Sequence, residues 1–195
     1  MPPIDSATAQ QRVPSPSVKR LNWGCGGAGQ PGWLNSDRRE GAGIDFCCDI
    51  RPNGLPVETD TLDYIVSIHA LQEVPWNEIQ SVLREFHRVL KPGGVLRLCL
   101  PDLTKGVAAY TRGDRDHFLI PDEESTCLGG KFILHMLWLG HSRLLFTPDF
   151  IEEILLKAGF RSVAHCPFQQ TKSAHPGIVE LDSREHESLF VEARK

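Results

Sequence analysis

Six consecutive residues, Gly24-Cys25-Gly26-Gly27-Ala28-Gly29, have the spacing G-x-G-x-x-G and begin at the last residue of the run VKRLNWG at 18–24. Glycine at such a point lets the backbone turn sharply and approach a ligand closely, because no Cβ stands in the way. Glycine-rich turns end many strands, so the position after the first strand is what gives the match its weight. A carboxylate at the end of a second strand would complete a nucleoside site by accepting hydrogen bonds from a ribose diol, and Asp37 closes WLNSD at 33–37. Asp37 lies 13 residues after Gly24, against about 20 in dinucleotide folds. That gap leaves little room for the helix whose N-terminus would hold a pyrophosphate. The spacing therefore favours an adenosyl ligand over NAD.

These residues need a scaffold that brings strand ends together. After the first two strands, GIDFCCDI (43–50) reads as a third, and DTLDYIVSIHA (60–70) carries a fourth, apolar from Tyr64 to Ile68. A continuous apolar run of this kind indicates burial on both faces, as in a parallel sheet. Trp76, Ile79, Val82, Leu83, Phe86, Val89 and Leu90 fall at helical spacing, opened by Pro75 and stopped by Lys91-Pro92-Gly93-Gly94. GVLRLCLPD (94–102) is a fifth strand, followed by a short helix at 103–112. FTPDFIEEILLKAGF predicts another helix, with Thr147 as cap, Pro148 at its first position and Gly159 as stop. Strands at 160–168 and 188–194, joined by a long polar loop, complete about seven. Strands alternating with helices predict an α/β, Rossmann-like doubly wound and mostly parallel sheet. Its first helices would be truncated. Residues 103–146 read as a lid-like insertion within a domain spanning 18–195, and 1–17 as a solvated tail.

Composition narrows the function. A net charge of −4 with no basic run longer than two residues argues against a nucleic-acid partner. The six cysteines form no C-x-x-C pair, which removes the case for a zinc site and fits a reduced, cytoplasmic setting. The apolar segment KFILHMLWLGHSRLLF has 16 residues and carries Lys131, His135, His141 and Arg143. A bilayer span needs about 20 apolar residues, so no membrane span is expected.

Taken together, LNWGCGGAGQPGWLNSD, Asp49, DTLDYIVSIHALQEVP, FHRVLKPGGVLRLCLPDL and FTPDFIEEILLKAGF resemble the class I S-adenosylmethionine-dependent methyltransferases, in particular small members with shortened early helices. The resemblance covers roughly 18–194. It implies S-adenosylmethionine as cofactor. Gly24, Cys25 and Gly26 would pass under its methionyl and ribose parts, and Asp37 would take the ribose hydroxyls. Asp49 and Ile50 would hold and cover the adenine, with Ser67 to His69 near the sulfonium. Two positions depart from the family pattern. Asn22 stands where many relatives carry an acid, and Leu71-Gln72-Glu73 where Leu-Glu-His is frequent.

Methyl transfer needs a base only when the accepting atom must shed a proton. His69 and Asp102 follow the fourth and fifth strands, and His141 and Tyr110 would reach the site if the insertion folds over it. Each also has a structural reading: His69 as a hydrogen-bonded loop residue, Asp102 as a helix cap, His141 as part of an apolar segment. The expected activity is methyl transfer to a small-molecule acceptor. A non-catalytic adenosyl-binding module remains an alternative. So does a nicotinamide-dependent oxidoreductase, although Tyr64 and Tyr110 lack a Tyr-x-x-x-Lys pattern.

Overall fold

The computed structural model describes residues 19–27 and 29–195. The tail expected at 1–17, and Ala28 of the glycine turn, lie outside the described residues. Seven strands form one sheet in the order β3-β2-β1-β4-β5-β7-β6. They are β1 (Arg20–Trp23), β2 (Leu34–Asp37), β3 (Phe46–Cys47), β4 (Leu62–Ile68), β5 (Leu90–Pro101), β6 (Ser162–Cys166) and β7 (Ser188–Arg194). β7 runs antiparallel to both β5 and β6, and the other pairs are parallel. This is the mostly parallel Rossmann-like sheet that the sequence predicts, with its antiparallel strand at the C-terminus.

The helices are α1 (Ile50–Asn53), α2 (Trp76–Val89), α3 (Leu103–Arg112), α4 (Leu128–Met136) and α5 (Pro148–Lys157). Ile79, Val82, Leu83, Phe86 and Val89 of α2 pack with Ile151, Ile154 and Leu155 of α5 against Leu21, Ile65, Leu96 and Leu98 of the sheet. On the opposite face Trp33, Tyr64, Val66 and Val95 meet Ile178, from a 3₁₀ turn at Pro176–Val179. Among the described residues no helix lies between β1 and β2 or between β2 and β3, and the β6–β7 connector covers that face. An ion cluster pins it there. Arg97, fully buried on β5, binds Asp182 (2.9 Å from Nε), Glu192 (3.0 Å) and the Gln170 carbonyl (2.9 Å).

Three local expectations are corrected. The third strand stops at Cys47, and Asp49 caps α1 by accepting from the Arg51 amide at 3.1 Å, so an apolar run that reads as strand turns into helix at Ile50. Leu90 belongs to β5. It already pairs with Leu62, Lys91–Gly94 bulge out, and pairing resumes at Tyr64 with Val95. Trp76, expected in the core, is 57% exposed, with its ring tilted against Phe150 at 5.7 Å between centroids. Residues 103–146 rise from the carboxyl edge of β5 and return to it, with the Leu103 amide bonded to the Phe146 carbonyl at 2.9 Å. Among the described residues no helix is long and apolar enough to cross a membrane.

Candidate active site

β1 has β2 on one side and β4 on the other, so the chain reverses direction of travel across the sheet at this point. Open α/β sheets bind ligands in the crevice beyond the carboxyl ends of such strands. A cavity of about 420 Å³ lies there, lined among others by Gly24, Cys25, Gly26, Asp37, Asp49, Ile50 and His69. Seven of the eight expected cofactor-contacting residues are thus brought together. The eighth, Ser67, is fully buried in β4 and is not part of the lining.

The glycine turn has a local cause. The Gly24 and Cys25 amides both donate to the Ser36 carbonyl, at 2.8 and 3.1 Å, which folds the end of β1 against β2. Gly24 sits at φ +69°, and a Cβ there would lie 2.3 Å from the Ala70 Cβ. Gly26 is also at positive φ, +73°, but a Cβ on it would meet nothing within 4 Å. Asp37 holds the turn in place: Oδ2 accepts from the Gly26 amide at 2.9 Å and Oδ1 from the Arg39 amide at 3.0 Å. A carboxylate has about four lone-pair directions, so two remain for a diol. Asp49 is less free, because Arg51 donates to it through Nε (2.7 Å) and Nη2. These hydrogen bonds hold the Asp49 carboxyl below the usual carboxylate range. Arg38, Arg51 and Arg184, which also line the cavity, carry no motif signal in the sequence.

The candidate proton carriers separate. Asp102 caps α3, accepting from the Thr104 and Lys105 amides at 2.8 and 3.3 Å, and lines neither recess of the site. Tyr110 is exposed, stacks on Phe132 and also stays outside both. His141 is exposed at a second, smaller recess. His69 lines both recesses, at φ +48°, with Nε2 2.7 Å from the Ser188 hydroxyl. Residues beyond the sequence reading join it there: His135 and the buried Glu187, 3.1 Å apart.

A family model for a methyltransferase domain matches residues 30–98. The chain is 26% identical over 136 residues to the tRNA N(3)-cytidine methyltransferase of Homo sapiens, covering 68% of this chain and 43% of that one. It is 38% identical over 64 residues to the demethylmenaquinone methyltransferase of Lysinibacillus sphaericus, covering 33% and 26%. Among solved structures, an S-adenosylmethionine-dependent methyltransferase from Archaeoglobus fulgidus shares the fold, with a TM-score of 0.59 over 92% of this chain and 87% of that one, at 12% identity. Over residues 30–98 the chain is similar to methyltransferase domains, and its sheet shares the fold of S-adenosylmethionine-dependent methyltransferases. It spans less than half the length of the curated relatives it matches.

S-adenosylmethionine is the cofactor of the similar Archaeoglobus fulgidus methyltransferase, and the cavity here fits it. The turn at Gly26 faces open space that a side chain would fill, Asp37 retains acceptor capacity for a diol, and Ile50 supplies an apolar surface for a ring. The site also carries a pH signature. Burial pushes the His69 imidazole from 6.5 down to about 4. Burial alone would raise Glu187, but the hydrogen bond from His135 and the charge at His69, His135 and Arg184 hold it at about 2. Both pKa values are lower folded than unfolded, so each group contributes stability above its unfolded value that disappears as pH falls. Stability should drop first between about 6.5 and 4, then between about 4.5 and 2. Melting temperature against pH checks this. His69→Asn should flatten the upper window, worth at most about 3 kcal/mol, and narrow the lower one, because the His69 charge helps to hold Glu187 down.

Proposed function

We propose that the protein transfers the methyl group of S-adenosylmethionine to a small-molecule acceptor. The observation that carries this reading is the pairing of Asp37 with the Gly26 amide inside the crevice at the chain reversal, a carboxylate and bare backbone set for a nucleoside without phosphates. When bound, the cofactor supplies an activated methyl group, so the chain's task is to bind, align and exclude water. Gly24 to Gly26 and Asp37 would carry the nucleoside, Ile50 would cover the adenine and Asp49 would hold its amine in competition with Arg51. His69 stands where the two recesses meet and would border the transfer. Residues 103–146 would close over the acceptor as a lid.

The name of the human relative makes RNA the competing acceptor, and the net charge of −4 weighs against it. A reduced cytoplasmic setting suits the six free cysteines. The test is thermal melting in the presence of S-adenosylmethionine, S-adenosylhomocysteine or NAD. A ligand at about 100 times its Kd stabilises by about 2.7 kcal/mol. The two adenosyl ligands should raise the midpoint and NAD should not. Stabilisation by NAD alone would sink the reading. Binding without product from either small molecules or RNA would turn it into a non-catalytic module.

A further inference from the structure

The second recess, about 60 Å³, is lined by Gln72, His135, Trp138, Ser142 and Glu187, and shares His69, Glu73 and Arg184 with the larger cavity. Two of its lining residues each carry a buried atom without a partner among the described residues. Gln72 is 4% exposed and Ser142 6%, yet Gln72 Oε1 and Ser142 Oγ accept no hydrogen bond from the protein. A buried polar atom left this way is destabilising, so a ligand that pairs with it gains affinity. The orientation of Gln72 is fixed, since its Nε2 donates to the His69 carbonyl at 2.6 Å, so the unmet atom is an acceptor facing a missing donor. Glu187 adds acceptor character. It is 4% exposed and receives His135 Nε2 at 3.1 Å and Arg184 at 3.3 Å. His135 Nδ1 accepts from the Leu119 amide at 3.2 Å, which places the imidazole proton on Nε2.

Given the cofactor assignment above, on which this rests, we propose that the recess is the acceptor subsite. It selects a nitrogen that carries N–H and is neutral at physiological pH, as in an aromatic or heteroaromatic amine. The N–H donors would satisfy Gln72 Oε1 and Ser142 Oγ. An anionic acceptor would leave Gln72 Oε1 unmet, and Arg184, the arginine that lines the recess, is already paired with Glu187 at 3.3 Å. An alcohol or an alkylammonium must lose a proton before attack, and no buried group here is free to take it. His69 is bonded to Ser188 and pushed down to about 4, Glu187 is held at about 2, and Nδ1 of His135 is engaged. A neutral arylamine needs no prior deprotonation. Its lone pair forms the N–C bond as the C–S bond breaks with its electron pair going to sulfur. The positive charge thus passes from sulfur to nitrogen, beside the Glu187 carboxylate, and the proton then leaves to water or to His141 at the exposed rim.

The test uses the protein saturated with S-adenosylhomocysteine and titrated by calorimetry at pH 7.5 with aniline, phenol and benzoate, three probes of one shape. Aniline should bind about tenfold or more tighter than phenol, and benzoate should not bind. Ser142→Ala and Gln72→Leu, each checked for retained S-adenosylhomocysteine binding, should bring aniline down to the level of phenol. Benzoate or phenol binding as well as aniline, equal aniline affinity in wild type and both variants, or no binding by any probe would each overturn the proposal. Failure to bind S-adenosylhomocysteine at all would instead remove the cofactor reading beneath it.

Discussion

Asp37→Ala should reduce affinity for S-adenosylhomocysteine by about 100-fold or more, the largest loss expected from a single change in the cavity. Two effects combine. Hydrogen bonds to a charged group contribute about 1.5–3 kcal/mol each, and a ribose diol would make two to this carboxylate. The same carboxylate receives the Gly26 amide at 2.9 Å and the Arg39 amide at 3.0 Å, so its removal also frees the turn that must lie against the ligand. Ordering that turn again on binding would weaken affinity further. Asp37→Asn separates the two contributions: its side-chain oxygen can still accept from Gly26, while the amide end cannot accept from a hydroxyl. It should fall between wild type and alanine. Calorimetric titration of the three proteins checks the order, with circular dichroism showing that all are folded. An unchanged affinity in Asp37→Ala would take the residue, and with it the nucleoside site, out of the crevice.

The sequence carries this part of the site openly because Gly24, Gly26 and Asp37 lie within 14 residues, at the ends of the first two strands. β1, β2, β4, β5 and α2 are legible for the same reason: each has one dominant periodicity over its own length. The boundary after β3 is hidden. Phe46 to Ile50 is apolar enough for a strand, and only Asp49, by bonding the Arg51 amide, turns it into a helix cap. The connector 167–187 is hidden more deeply. It is polar in composition, yet the antiparallel setting of β7 starts that strand at the carboxyl edge of β5, opposite Pro101. The connector must therefore approach the site, and it delivers Leu181, Ser183 and Arg184 to the cavity. The second recess is likewise invisible, since Gln72, Ser142 and Glu187 are far apart in the chain and come together only through the fold.

Arg97 shows how that connector depends on one buried cation, and Arg97→Met should lower stability by about 3–5 kcal/mol. The side chain is fully buried, its partner Asp182 is fully buried, and Glu192 is 5% exposed. Methionine fills much of the volume but leaves two buried carboxylates facing each other without a cation, together with an unmet Gln170 carbonyl. For a chain of this size the loss corresponds to roughly 6–20 °C in melting midpoint. The damage should also be local. Asp182 receives the Gln169 amide, and Glu192 receives Thr171 and Lys172, so the whole start of the connector is organised by the two acids that Arg97 neutralises. Amide hydrogen exchange should rise first at 169–184, and affinity for S-adenosylhomocysteine should fall even well below the new melting point. Adding Asp182→Asn and Glu192→Gln to Arg97→Met removes the uncompensated charge and should restore more than half of the lost stability. If the triple variant is no more stable than Arg97→Met, the cost lies in packing rather than charge, and the ion cluster is not what holds the connector on the sheet.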